Sequence, residues 1–271
     1  MVVDHGGYYE VIRNMFNHLI EIFVFIFGMC IGSFINVCIY RLPVSKSIVH
    51  PPSMCQNCGT RIRFYDNIPV ISYLWLKGRC RHCNAKISLR YPLVEIMAGC
   101  FAFCVFLKFG LTLEGLIYYA FIASLLLITF IDIDHQIIPD VITLPGIVIG
   151  FIASFALSAI SYKESILGII VGGGSLLVVA WTYQLITKKE GMGGGDIKLL
   201  AMMGAIIGWK GVLFTIFAAS AVGTLSGILL MVRTRKNLKL AVPFGPFLSI
   251  GAMTYIFFGP ELIFWYFHLL K

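Results

Sequence analysis

The chain has 271 residues, 59% of them hydrophobic and 13% charged, against roughly 45–50% and about 25% in an ordinary soluble domain, so a soluble globule, a disordered chain, collagen and coiled coil are excluded. Lys and Arg number 21 against 13 Asp and Glu, a net charge of +8, which suits nucleic acid or an anionic membrane until the charges are located. Eight cysteines are too few for a disulfide-dense mini-protein, so their spacing carries the information.

A helix needs about 20 apolar residues to cross the hydrocarbon layer. Eight apolar runs of about that order predict an all-α polytopic membrane protein with about eight transmembrane helices, near residues 19–40, 93–109, 115–131, 141–161, 165–186, 197–209, 211–232 and 242–267. The first run comes too late and is too long for a cleavable signal peptide, so it is expected to be a permanent span. We expect three parts: 1–40, the outer N-terminus and first span; 41–91, a small cytoplasmic loop domain; and 92–271, a membrane-embedded core.

The loop after the first span carries nine basic residues (Arg41, Lys46, Arg61, Arg63, Lys77, Arg79, Arg81, Lys86, Arg90) and one acid, Asp66. The positive-inside rule places it in the cytoplasm and both termini outside. Eight alternating spans then leave 16 basic residues inside and 5 outside. The +8 therefore records membrane orientation, and a nucleic-acid partner is not expected. The sixth run is the weak one, because the 11 residues between Lys198 and Lys210 reach only about 16 Å as a helix. Charge bias favours a short, strained span with Lys198 snorkelling over a re-entrant segment.

The loop also holds Cys55-Gln-Asn-Cys58 and Cys80-Arg-His-Cys83, two C-x-x-C hooks separated by 21 residues. Four thiolates at such spacing can close a tetrahedral zinc site without an open position, which reads as structural. Gly59 and Asn84 directly follow the hooks, where a turn around the metal needs residues that tolerate the left-handed region. Disulfides are the rival, disfavoured in a reducing cytosol. Cys30, Cys38, Cys100 and Cys104 lie within apolar runs and read as small packing residues.

Ionisable residues at membrane depth cost at least about 2.5 kcal/mol on insertion scales and are functional candidates by default. Two clusters stand out: Asp132, Asp134 and Asp140 around the end of the third run, and Gly193-Gly194-Gly195-Asp196 at the start of the sixth. In the eight-span topology both lie at cytoplasmic helix ends. Two carboxylates at low dielectric hold one proton between them. One then takes a proton from an attacking water while the other protonates the peptide carbonyl, so hydrolysis needs no metal. A side-chain-free glycine run lets an extended substrate approach the backbone. The bland alternative is that the acids are interfacial caps and the glycines a flexible connection.

These residues carry a resemblance. Gly193 to Asp196 fits the G-x-G-D motif of membrane-embedded aspartyl proteases, and GMGGGDIKL at 191–199 together with IDIDHQIIPD at 131–140 resembles the bacterial type IV prepilin peptidase family. GSFINVCIYRLP at 32–43, the cysteine loop, RYPLVE at 90–95 and PFGPFL at 243–248 extend the likeness over most of the chain. The resemblance implies Asp132 and Asp196 as the catalytic pair, with Gly193, Gly195, Lys198, Asp134 and Asp140 in support. It implies type IV prepilin or pseudopilin substrates with a short basic leader ending in Gly, cut at the cytoplasmic face of a bacterial inner membrane. For long forms with the tetracysteine loop it also implies N-methylation of the new terminus with S-adenosylmethionine as donor.

By the same resemblance, Gly32, Asn36, Arg41, Arg90 and Glu95 are the candidates for methyl transfer. Against these stand plain structural roles: close helix packing for Gly32, an interhelical hydrogen bond for Asn36, headgroup anchoring for the arginines and a helix-dipole contact for Glu95. Lys198 is expected to meet lipid phosphate, with pairing to an aspartate the lesser option. A peptidase without methyl transfer is the narrower alternative. An ion-coupled transporter is the alternative of another class; it expects acids near the midplane and an internal repeat, and the sequence has neither.

Overall fold

A computed structural model describes residues 5–188, 193–234 and 243–269. Among them the regular structure is helical: α1 (His5–Arg41), α2 (Ile71–Trp75), α3 (Arg90–Phe109), α4 (Leu113–His135), α5 (Asp140–Ala153), α6 (Tyr162–Thr187), α7 (Gly194–Thr234) and α8 (Gly245–Leu269). Among the described residues, five segments are long and apolar enough to cross a membrane, Met15–Val44, Arg90–Phe109, Leu113–His135, Tyr162–Thr187 and Gly194–Leu229, whereas Asp140–Ala153 and Gly245–Gly259 are shorter apolar helices. The chain is thus an all-α, multi-pass membrane protein. Two compact units divide it, Met1–Ala123 and Ser124–Lys271, the boundary falling inside α4.

In the first unit α1 packs along α3 through a seam of small residues. A Cβ on Gly28 would lie 2.6 Å from the Ala102 methyl, and one on Gly32 would lie 2.7 Å from the Cα of Glu95. In lipid, where apolar surface alone gives helices no reason to associate, such close backbone approach supplies the packing. The Tyr119 hydroxyl, near the start of α4, lies 3.4 Å from the carbonyls of both Gly28 and Ala98.

In the second unit α7 packs against α5, α6 and α8. It is two helices, because Gly208 breaks it at φ 67°, ψ 177°, in the positive-φ region that glycine enters without a Cβ penalty. The first part, 194–207, spans about 21 Å, and its residues Leu199 to Met203 and Ala205 to Ile207 are all at most 7% exposed. Its side chains therefore meet neighbouring helices and not lipid. The segment is enclosed by other helices, so its length need not match the bilayer. Gly168 of α6 and Gly204 of α7 face each other so closely that a Cβ on either would strike the other's carbonyl, and Ser165 Oγ donates to the Ala205 carbonyl at 2.8 Å.

The fourth apolar run is also shorter as a helix than expected. α5 ends at Ala153, where Ser154 Oγ donates to the Phe151 carbonyl at 2.6 Å, and the apolar residues 155–160 continue as turns. Hydropathy alone does not distinguish an apolar turn from an apolar helix.

Candidate functional site

Both candidate catalytic residues lie at helix ends in the second unit. Asp132 is in the last turn of α4, 5% exposed. Gln136 ends that helix at φ 54°, its amide donating to the Asp132 carbonyl at 2.9 Å, and after Pro139 α5 begins at Asp140. Asp196 is the third residue of α7, where a carboxylate is favoured by the exposed amides of the first turn. Gly195, beside Asp196, and Gly245, beside Asp132, both lie against the Ile138 side chain, which brings the two acids to one locus. Terminal placement of both is the reverse of the midplane site that a transporter expects.

Sequence reasoning missed the group that fixes Asp132. The Gly245 amide, at the start of α8, donates to Asp132 Oδ2 at 2.9 Å in a buried contact. A Cβ at Gly245 would lie 2.7 Å from that oxygen, so a glycine is what lets the amide reach the carboxylate. The PFGPFL string contains this residue, but nothing in its spacing says which side chain it meets.

The supporting residues separate. Gly195 packs its bare Cα on Ile138, where a Cβ would be 2.9 Å from the Ile138 Cβ, whereas a Cβ at Gly193 or Gly194 would meet nothing within 4 Å. Gly191 and Met192 lie outside the described residues. Asp134 is exposed. Lys198 Nζ donates to both oxygens of Asp140 at 2.8 and 2.7 Å, which corrects the expectation that it meets lipid phosphate. Because α7 and α5 begin side by side, the pair ties the helix carrying Asp196 to the loop that follows Asp132.

The cysteine hooks form in the first unit as two knuckles of the same design. Met54 bridges Arg61 and Arg79 bridges Lys86 in antiparallel fashion. The amides of Gly59 and Asn84 return to the carbonyls of Cys55 and Cys80 at 2.9 and 3.0 Å, with φ of 68° and 55°, as expected for residues closing a metal turn. The four Sγ atoms lie within 4.8 Å of one another. Cys55 and Cys83 are 3.8 Å apart, the sulfur separation of a tetrahedron with metal–sulfur bonds of about 2.3 Å. The group can hold a metal ion.

Electrostatics agree with that capacity. The Thr60 hydroxyl and amide pull the Cys58 thiol down to about 6, and the amides of Cys83 and His82 lower Cys80. Cys55, although the amides of Cys58 and Asn57 favour its thiolate, is pushed up to about 11 by burial and by the neighbouring thiols Cys80 and Cys58. The last thiolate of such a set is stabilised by a cation in its midst.

The five candidates for methyl transfer also lie in the first unit. Gly32 is filled by the α3 backbone. Asn36 Nδ2 donates to the Tyr91 carbonyl at 3.0 Å, the expected interhelical bond. Glu95, 8% exposed, accepts from the Val70 amide at 2.8 Å, so its role extends beyond a helix-dipole contact. Arg41, 9% exposed, donates to the carbonyls of Ser47 and Pro51 at 3.0 and 2.7 Å and folds the loop back, in place of headgroup anchoring. It alone of the five lines a cavity of about 260 Å³, together with Ser33, Phe34, Val37, Val49 and Asn67. Arg90 is the first residue of α3. Among the apolar-run cysteines, Cys38 is buried and Cys30, Cys100 and Cys104 are exposed.

Residues 26–109 match the family model described as Bacterial Peptidase A24 N-terminal domain, and residues 119–228 match the Type IV leader peptidase family. A prepilin leader peptidase/N-methyltransferase of Pseudomonas putida is 37% identical over 88% of this chain and 90% of its own length. Proteins of the same name from Myxococcus xanthus and Stutzerimonas stutzeri are 38% and 36% identical, over 81% and 88% of this chain and 65% and 90% of their own lengths. No solved structure matches. With both halves of the chain matched in order and the identity sustained over most of its length, the chain belongs to the type IV leader peptidase family.

Proposed function

We propose that this protein is a membrane-embedded aspartyl endopeptidase that removes the leader of type IV prepilins or pseudopilins after a glycine and then N-methylates the new terminus. The observation that carries the peptidase reading is the pair of Asp132 and Asp196, set at two helix ends around Ile138, the first held by the Gly245 amide. One carboxylate takes a proton from water as its oxygen bonds to the peptide carbon. The protonated partner gives its proton to the carbonyl oxygen; the C–N bond then breaks as the first carboxyl passes its new proton to the departing amine and the hydroxyl proton returns to the partner carboxylate. The open backbone at Gly193 and Gly194 suits an extended substrate strand.

Cys55, Cys58, Cys80 and Cys83 would hold zinc, with no open position, as a support for the 41–91 loop domain. S-adenosylmethionine, when bound, supplies an electrophilic methyl group to the new amine. Of the methyl-transfer candidates, Arg41 supports this reading best, because it borders a cavity, and Phe34 beside it offers an aromatic face to a cation. Gly32, Asn36 and Glu95 act by fixing α1, α3 and the loop. We assign residues 92–271 to the peptidase core, the loop and aspartates to the cytoplasmic face of the inner membrane, and both termini to the outside, on the bias of basic residues.

The test is reconstitution with a prepilin-like peptide, scoring cleavage and N-methylation separately. Asp132→Asn and Asp196→Asn should each abolish cleavage in a folded protein; wild-type cleavage by either removes the catalytic assignment. Replacement of both C-x-x-C hooks should release zinc and stop methylation, and normal methylation without them would separate the loop from that activity.

A further inference from the structure

The 41–91 loop exposes apolar side chains that its small fold does not cover. Phe64 is 86% exposed, Leu74 70%, Trp75 79% and Ile71 58%. Ile71, Leu74 and Trp75 occupy one face of α2, at positions three and four apart, and the 3-10 turn Phe64–Asn67 packs beside that helix.

Hydrogen bonds set the height of this face relative to the spans. Val70, the residue before α2, has φ 60° and gives its amide to Glu95, which lies five residues inside α3. The Asn36 bond to the Tyr91 carbonyl and a 3.0 Å contact from Gln56 Nε2 to the Tyr91 hydroxyl fix the start of α3 to α1 and to the first knuckle. The start of α2 is therefore held level with the first turns of a candidate membrane span, about 7 Å along α3 from its first residue, at one end of that span and so near the membrane surface.

The charge of the loop selects the occupant. Its one acid, Asp66, is bound by Arg81, whose Nε lies 2.9 and 3.1 Å from the two carboxylate oxygens. The remaining side-chain charges are basic, with Lys77 and Arg79 directly after α2. Aromatic and long apolar side chains flanked by Lys and Arg, at headgroup height, match an anionic lipid surface. A basic prepilin leader would be repelled by the same charges.

We propose that the α2 face of Ile71, Leu74 and Trp75, with the exposed Phe64 of the neighbouring turn, inserts into the anionic headgroup layer, docking the metal-binding loop on the membrane. This rests on α1 and α3 being spans and is independent of the peptidase reading, because its readout is lipid contact and not cleavage. Docking adds an anchor to the loop that the metal alone does not give.

The test uses the full-length, zinc-loaded protein in nanodiscs of phosphatidylcholine with or without phosphatidylglycerol. Trp75 is isolated as the sole tryptophan by Trp181→Phe, Trp209→Phe and Trp265→Phe. Where that variant folds poorly, the difference between wild type and Trp75→Phe gives the same readout. Trp75 should be quenched by lipids brominated near the headgroup and shielded from aqueous acrylamide. Lys77→Gln and Arg79→Gln should each lower the docked-to-undocked ratio about fivefold in the anionic discs. The proposal is overturned if acrylamide reaches Trp75 freely and brominated lipid does not. Protection of Trp75 only after a prepilin peptide is added would equally overturn it, and would assign the face to substrate.

Discussion

Gly245→Ala tests whether the α8 amide positions Asp132. The added Cβ would stand 2.7 Å from Asp132 Oδ2 and 3.3 Å from its Cγ, against an ordinary carbon–oxygen approach of about 3.3–3.6 Å. The carboxyl group or the start of α8 must therefore move by about 0.6 Å. A displacement of about 1 Å at a reacting group costs on the order of 100-fold, so kcat is expected to fall about 10- to 100-fold, equivalent to roughly 1.4–2.7 kcal/mol of barrier.

Global stability should change less. Overpacking costs about 1–3 kcal/mol, and replacing Gly by Ala in a helix returns roughly 0.5–1 kcal/mol. The assay is turnover of a prepilin-like peptide at saturation in nanodiscs, with thermal unfolding of the same samples. Gly227→Ala is the control, because a Cβ there meets nothing within 4 Å and turnover should be unchanged. Wild-type turnover by Gly245→Ala refutes the reasoning, and so does an equal loss in the control.

Three further outcomes follow from other contacts. Gly204→Val drives a side chain into the Gly168 carbonyl, which no rotamer relieves; it should lower stability by at least about 2–3 kcal/mol, and an unchanged Tm in detergent would refute the packing described. The exposed Lys198–Asp140 pair should give a coupling of about 0.2–1 kcal/mol in a Lys198→Met, Asp140→Asn double-mutant cycle; a coupling above about 2 kcal/mol would show the pair to be more than a surface contact. Arg81 holds the Asp66 carboxyl below the ordinary carboxylate range, so its stabilisation is full above the unfolded value near 3.9 and is lost as pH falls through the lower folded value. Asp66→Asn should therefore speed proteolysis of the loop at pH 7 and approach wild type only as the pH falls below the lowered folded value, under the ordinary carboxylate range; a difference that persists below that value would refute the linkage.

Much of the candidate site was legible because apolar sequence is a quiet background. In a chain with only 13 acidic residues, carboxylates beside membrane spans stand out by their cost. The two cysteine hooks were equally readable, since metal geometry constrains local spacing, and Gly59 and Asn84 adopt the positive φ their positions implied. What spacing could not show were partners far apart in sequence. Gly245 reaches Asp132 across 113 residues, Lys198 reaches Asp140 across 58, and Val70 reaches Glu95 across 25.

The sequence by itself thus determined the solvent of this protein, the four-cysteine group that can hold a metal and which acids stand at span ends, because each depends on residue type or local period. Tertiary structure decided which apolar helix faces lipid and which faces protein. Hydropathy is the same for both, so only the fold shows that residues 199–207 are buried among neighbouring helices. It also decided the aim of each polar group, because the direction of a hydrogen bond is fixed by where two distant backbones meet.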